Sequence, residues 1–333
     1  MKIVFFGTPN YVLPVLESLH KTFKSKAGES PIAAVVTQTP KPVGRKQQLE
    51  YSPVDTWAHK KNVPIYFDGN DLIRNKVQAD LGLIASYGKI ISKEVIEHFP
   101  KGIINVHFSL LPEFRGASPT EAAIITGQKE IGVTIFKIDE LLDHGPIISQ
   151  FTEVIQKDDT VETLRIKLFK RVAEVLMTLI PAYLQDKITL RDQDHSKATY
   201  TKIVKKEDAF IPPEFLNVAL QGQAFKGKWN IPFIKDFEIE PTPRVIERYI
   251  RAMQPWPIAW TNIKILRDKE IKRLRILKSH LESSATKATK PVPRAYTLVP
   301  DLVQLEGKLP VTWKQFLEGY TDIKFIQNPD IQT

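Results

Sequence analysis

The 333-residue chain contains no cysteine. That absence removes disulfides, thiolate nucleophiles and sulfur-ligated metals together. Chemistry has to rest on His, carboxylates, amides, hydroxyls or Lys. Long apolar runs are missing too: no segment approaches the roughly 18 to 20 unbroken apolar residues of a membrane span. The opening M-K-I-V-F-F-G-T-P-N meets a Gly-Thr-Pro turn too soon to be an export signal. The expectation is a soluble, cytoplasmic protein without membrane contact. The seven histidines (His20, His59, His98, His107, His144, His195 and His280) show no H-E-x-x-H or comparable spacing, so no metal is expected. No G-x-S-x-G occurs, which disfavours a serine nucleophile and an acyl-enzyme. The turn after the first apolar run is G-T-P-N rather than G-x-G-x-x-G, so nothing points to a dinucleotide.

What is present is an ordinary globular composition, 42% hydrophobic and 26% charged, with room for two cores. The net charge of +9 is unevenly shared. Residues 201–333 carry 22 Lys/Arg against 15 Asp/Glu, whereas residues 1–200 carry 25 against 23. The basic C-terminal part suggests attraction to a polyanion, although such charge also serves solubility.

Short apolar runs at 2–6, 32–37, 81–85 and 103–107 alternate with helical patterns such as 11–22. This order predicts a mostly parallel sheet covered by helices, an α/β Rossmann-like domain. A helix is predicted over 160–187, with Pro181 in its last turns. Arg191 to Glu207 is polar with few apolar anchors and reads as a linker. Beyond it, short alternating strands at 262–266 and 272–277, turn signals and a basic surface suggest a small C-terminal β-barrel of OB-like type. The expected division is a first domain over 1–190, a linker over 191–209 and a barrel-like domain over 210–333.

Residues 104–116 read I-N-V-H-F-S-L-L-P-E-F-R-G. On a strand, Asn105 and His107 project from one face. Such a pair can simply satisfy neighbouring backbone groups at a sheet edge. Residues 132–148, G-V-T-I-F-K-I-D-E-L-L-D-H-G-P-I-I, predict two strands around an acidic loop, from which Asp143 could fold back toward a strand end. An amide donor, an imidazole and a carboxylate together suit addition of an amine to a carbonyl carbon. Asn and protonated His donate to the developing oxyanion, and the acid orients the His and helps move the amine's proton.

I-N-V-H-x-S-L-L-P-x-x-R-G, followed about 30 residues later by D-x-G-P, resembles the signature of the folate-dependent formyltransferase family. Further matches run from end to end: F-F-G-T-P at 5–9, T-Q-T-P-K-P-V-G-R-K at 37–46, S-P-V at 52–54, A-S-Y-G-K-I-I at 85–91 and I-R-A-M-Q-P-W-P-I-A-W at 250–260. The resemblance implies 10-formyltetrahydrofolate as formyl donor and the α-amine of methionyl initiator tRNA as acceptor. It also implies a Rossmann-like catalytic domain, and a C-terminal barrel that helps hold the tRNA. Carried over, Asn105, His107 and Asp143 match the catalytic trio. Ser109, Leu110, Leu111 and Pro112 match the folate-contacting loop, and Tyr87, Gly88 and Ile91 the pterin pocket. Arg45, with Lys46 and Lys41, matches the basic loop set against the acceptor stem. A monomer is expected.

The chain departs from the family pattern at Phe108, where a small Gly usually follows the His; the larger ring would narrow the site or alter the folate pocket. Its basic loop, G-R-K-Q-Q-L, has fewer lysines than in relatives, which weakens its grip on an acceptor end. Gln221 to Glu240 reads as an insertion. Arg115 reads equally as a tRNA contact or an anchor of its own loop, and Trp256 and Trp260 as core of the second domain. The rival readings are a formyltransferase acting on a sugar nucleotide or other small amine, and a catalytically silent folate- or RNA-binding protein.

Overall fold

The computed structural model describes residues 1–43, 47–267, 269–283 and 296–326. The chain divides into two compact units. The first comprises Met1–Pro119, Glu130–Val154 and Thr163–Tyr200; the second comprises Thr120–Lys129, Ile155–Glu162 and Thr201–Thr333.

The first unit is built on a seven-stranded sheet. From edge to edge its strands are Ile147–Val154, Glu130–Lys137, Ile103–His107, Leu81–Ala85, Ile3–Gly7, Ile32–Val36 and Ile65–Tyr66. The last five run parallel, as expected for strands buried on both faces and written as continuous apolar runs. All five residues of Ile3–Gly7 are buried. The first two strands are antiparallel and close one side of the sheet, with Ile104 opposite Lys137 and His107 opposite Thr134. The helix Val161–Leu184 buries Leu164, Leu168, Val172 and Leu176, at intervals of four residues that keep them on one side. Pro181 lies inside this helix, as the sequence predicts.

The second unit contains a five-stranded antiparallel sheet in the order Val311–Thr312, Tyr296–Leu305, Glu270–Ser283, Trp260–Ile265, Ile323–Phe325. Its core gathers Ile263, Ile265, Leu274, Val303, Leu305 and Phe316. The fold class read from the sequence holds in both units. The small β domain is a sheet whose two outer strands do not pair with each other among the described residues. Glu270–Ser283, at 14 residues, is much longer than the 272–277 run the sequence suggests, because Tyr296–Leu305 pairs with it as far as Ser283.

Residues 221–240, read as an insertion, have a structural role in this unit. They form the hairpin Trp229–Asn230 with Glu238–Ile239. Trp229 packs at 4.4 Å from Tyr249 and 5.5 Å from Phe215, while Ile231, Phe233 and Ile234 are buried beside it in sequence. Trp260 is buried, its indole N–H donating to the Lys206 carbonyl at 3.2 Å, with the Arg273 guanidinium 4.1 Å from its ring. Trp256 does not join the core. It is 61% exposed, held in the Pro255–Trp256–Pro257 turn.

Candidate active site

The strand Ile103–His107 places Asn105, half-buried, and His107, 6% exposed, on one face at its end. Asn105 is flanked in register by Ile84 and Phe136, which fix its position along the sheet. His107 Nε2 lies 2.9 Å from the Phe114 carbonyl. A carbonyl only accepts, so Nε2 carries a proton and donates, and Nδ1 is the remaining nitrogen. Nδ1 faces Asp143 Oδ2 at 3.6 Å.

Asp143 reaches this position from the connection between the two antiparallel strands. Its φ of +47° lies in the left-handed region, which Asp enters more readily than most residues. Its Oδ2 accepts the Gly116 N–H at 2.7 Å. Two residues on, a Cβ at Gly145 would stand 2.0 Å from the Lys137 carbonyl oxygen, so the turn is closed to side chains there. The Lys137 N–H then donates to the Pro146 carbonyl at 3.0 Å.

The loop after His107 is fastened by Thr134. The Thr134 hydroxyl donates to the Ser109 carbonyl at 2.6 Å and accepts from the Leu111 N–H at 3.1 Å and from Gln150 Nε2 at 3.0 Å. Gln150 Nε2 also donates to the Leu111 carbonyl at 3.0 Å, and the Ser109 hydroxyl to the Glu113 carbonyl. Leu111 is buried and Leu110 projects, 41% exposed. This loop lies directly on Gly132, where a Cβ would meet the Leu110 nitrogen at 2.3 Å. Phe108 is buried, with its ring 4.7 Å from Phe169, so its bulk is taken up by packing against the long helix.

Tyr87 is buried in the core cluster with Phe6, Val95 and Phe99, edge-on to Phe6 at 5.6 Å. Burial, with a smaller contribution from the Asp68 carboxylate, pushes its phenol up to about 12. Gly88 follows at φ +76°, the left-handed turn glycine accepts freely. Ile91 packs against the same cluster, and Ile90 is left almost fully exposed. Lys41 lies in the hairpin Lys41–Val43 with Gln48–Glu50, its ammonium donating to Gln38 Oε1 at 3.1 Å. Arg45 and Lys46 fall outside the described residues. Among the described residues no three His, Asp or Glu side chains converge to hold a metal ion. Nor is any helix among them long and apolar enough to cross a membrane.

Arg115 is an anchor of the loops around the site. It is 3% exposed, with Nε and Nη2 donating to Gln193 Oε1 at 3.3 and 2.6 Å and Nη2 donating to His195 Nδ1 at 2.8 Å. Gln193, which hydrophobic patterning passes over, is buried and donates to the carbonyls of Asp143 and Gly145 at 2.9 and 2.8 Å. It belongs to a laced segment. Arg191 exchanges two backbone hydrogen bonds with Ile147, and the Thr199 carbonyl accepts the Arg115 N–H at 2.8 Å. His144 stacks on His195 at 3.9 Å, with its Nδ1 2.7 Å from Asp139 Oδ2. Glu140 pairs with Lys93 at 2.8 Å.

An amide and an imidazole share one strand face, and a carboxylate turn is folded back onto the imidazole. This arrangement equips the site for acyl-type transfer without a covalent enzyme intermediate. Residues 1–180 match the family described as formyl transferase, and residues 237–321 match the formyl transferase C-terminal domain. The chain belongs to the formyl transferase family. Similar proteins include the methionyl-tRNA formyltransferase of Listeria monocytogenes serotype 4a, 33% identical over 96% of this chain and 95% of that protein. Another is the methionyl-tRNA formyltransferase of Buchnera aphidicola subsp. Schizaphis graminum, 34% identical over 78% of this chain and 74% of that protein. Among solved structures, a methionyl-tRNA formyltransferase from Clostridium thermocellum aligns over 92% of this chain and 98% of its own, with a TM-score of 0.52 at 18% identity. The sugar 3N-formyl transferase WlaRD aligns over 93% of this chain and 99% of its own, with a TM-score of 0.58 at 20% identity. At those identities the two structures speak for the fold alone.

Proposed function

We propose that this protein transfers the formyl group of 10-formyltetrahydrofolate to the α-amine of methionyl initiator tRNA, preparing it for translation initiation. The observation that carries the reading is the His107–Asp143 approach at 3.6 Å beside Asn105, in a chain whose relatives at 33–35% identity are methionyl-tRNA formyltransferases. The donor is assigned to the loop after His107 and the turn after Tyr87, each of which leaves an apolar side chain in solvent. Leu110 and Ile90 are apolar side chains left in solvent, next to the loops built on Thr134 and on the Tyr87–Gly88 turn. Ser109 to Pro112 and Tyr87, Gly88 and Ile91 are the residues assigned to hold it. The donor supplies an activated formyl carbon and a nitrogen leaving group.

The acceptor amine has a reference pKa of about 7.7, so a useful fraction is neutral near pH 7 and needs no strong base. Asn105 donates to the formyl oxygen as it gains charge. His107, its Nε2 tied to the Phe114 carbonyl, presents only Nδ1 to the reaction. Asp143 orients that edge and helps carry the proton from the incoming amine to the departing nitrogen. The basic second unit, with Lys41, Arg45 and Lys46 of the first, engages tRNA phosphates, which position without reading sequence. A cytoplasmic monomer belongs to the same reading.

The test offers labelled 10-formyltetrahydrofolate to the purified protein with charged initiator tRNA in one reaction and with nucleotide-linked amino sugars in another. Label in the tRNA alone supports the reading. Label only in the sugar replaces it with the small-amine reading, and binding of folate and tRNA without transfer replaces it with a silent binding protein.

A further inference from the structure

We infer that Gln193, steered by Arg115, is a positioning residue that sets Asp143 opposite His107; this rests on the His107–Asp143 site proposed above. The two site residues are anchored to one short stretch of chain. His107 donates to the carbonyl of Phe114, and Asp143 Oδ2 accepts from the N–H of Gly116. Arg115, between them, has its backbone N–H on Thr199 and its guanidinium on Gln193.

Gln193 completes the frame from the other side. Both hydrogens of its amide are used, one on the Asp143 carbonyl at 2.9 Å and one on the Gly145 carbonyl at 2.8 Å, so it straddles His144 and clamps the turn at both ends. Its oxygen takes two bonds from Arg115 at 3.3 and 2.6 Å, which dictates which end of the amide faces the turn. The side chain is 6% exposed, so these bonds are made away from competing water.

The clamp matters because the turn's own bonds, Lys137 N–H to the Pro146 carbonyl and His144 Nδ1 at 2.7 Å from Asp139 Oδ2, leave the Asp143 and Gly145 carbonyls to Gln193. Asp143 sits at φ +47°, a conformation that costs free energy unless its surroundings impose it. A displacement of about 1 Å at a reacting group can lower a rate by a factor on the order of 100. The Nδ1–Oδ2 separation of 3.6 Å is therefore a distance that Gln193, through the Asp143 backbone, sets together with the Gly116 N–H on the carboxylate.

Gln193→Met keeps the volume and removes every hydrogen bond, while Gln193→Glu keeps the acceptor for Arg115 and removes the two donors. Both should lower kcat by a factor on the order of 30 to 100, with KM for donor and acceptor each within about threefold of the parent. In the Asp143→Asn background, Gln193→Met should cost little further, because the group it positions is already lost. A rise in KM alone, or a Gln193→Met loss that multiplies fully with Asp143→Asn, overturns the inference. The imidazole ¹⁵N resonances of His107 provide a readout that needs no substrate. They should shift in Gln193→Met with the fold intact by circular dichroism, and unchanged resonances overturn the inference. A parent that transfers no formyl group defeats the functional reading alone, since the His107 resonances still decide the positioning role.

Discussion

Nδ1 of His107 stands 3.6 Å from Oδ2 of Asp143, while that oxygen holds the Gly116 N–H at 2.7 Å. The carboxylate is thus pinned by the backbone and only faces the imidazole, leaving Nδ1 short of a closed hydrogen bond. An edge held in this way is oriented yet open to a substrate oxygen or proton. The second ring nitrogen is committed to the Phe114 carbonyl, so the imidazole has one defined working position.

Phe108 follows His107 and packs its ring against Phe169 at 4.7 Å. Phe108→Ala should destabilise the protein by about 3–5 kcal/mol, the usual cost of emptying a buried aromatic site. Phe108→Leu should cost clearly less. The midpoint of urea unfolding measures both. An unchanged midpoint in Phe108→Ala would show that the ring is not a core element.

Gly145 has no room for a Cβ, which would sit 2.0 Å from the Lys137 carbonyl oxygen. Gly145→Ala therefore forces the turn that carries Asp143 to move. Both Tm and kcat should fall, the stability loss being on the order of 1–3 kcal/mol as for other overpacked sites. Calorimetry with steady-state kinetics checks this; retention of full turnover would mean that the turn adjusts without displacing Asp143.

Tyr87 links burial to pH. Its phenol is raised from the ordinary 10.0 to about 12, so above pH 10 the folded state keeps a proton that the unfolded state releases. The stabilisation is complete below pH 10 and is lost as pH rises from about 10 through about 12. Tyr87→Phe should remove this part of the decline. Urea unfolding of the parent and Tyr87→Phe at pH 9 and pH 11.5 should show a smaller loss in the variant; equal losses would refute the assignment.

Much of the frame was legible in the sequence because buried parallel strands are written as continuous apolar runs, as at Ile3–Gly7 and Leu81–Ala85. The period-two rule places Asn105 and His107 together, and the D-H-G-P turn marks Asp143. Patterning did not show Gln193, because the segment from Arg191 to Thr199 is fixed by hydrogen bonds to backbone carbonyls and carries no apolar periodicity. Trp256 and Trp260 look alike in sequence, yet only Trp260 lies on a strand, one buried on both faces, with its ring 4.8 Å from Phe210, while Trp256 stands on the prolyl turn in solvent. Thr134 and Gln150 were hidden for a related reason. Thr134 is a lone hydroxyl in a strand that is otherwise buried on both faces, Gln150 an ordinary polar residue in a half-exposed one, and the value of each emerges only when the loop of Ser109 to Leu111 lies across it.

Single-turnover formyl transfer to charged initiator tRNA, with parent, His107→Ala, Asp143→Asn and the double variant, tests the central claim most directly. The pairing predicts that each single change slows transfer by a factor on the order of 10² to 10⁴, and that the double variant is little slower than the slower single one. Transfer at the parental rate in either single variant would contradict the assignment of the His107–Asp143 pair as the reacting centre.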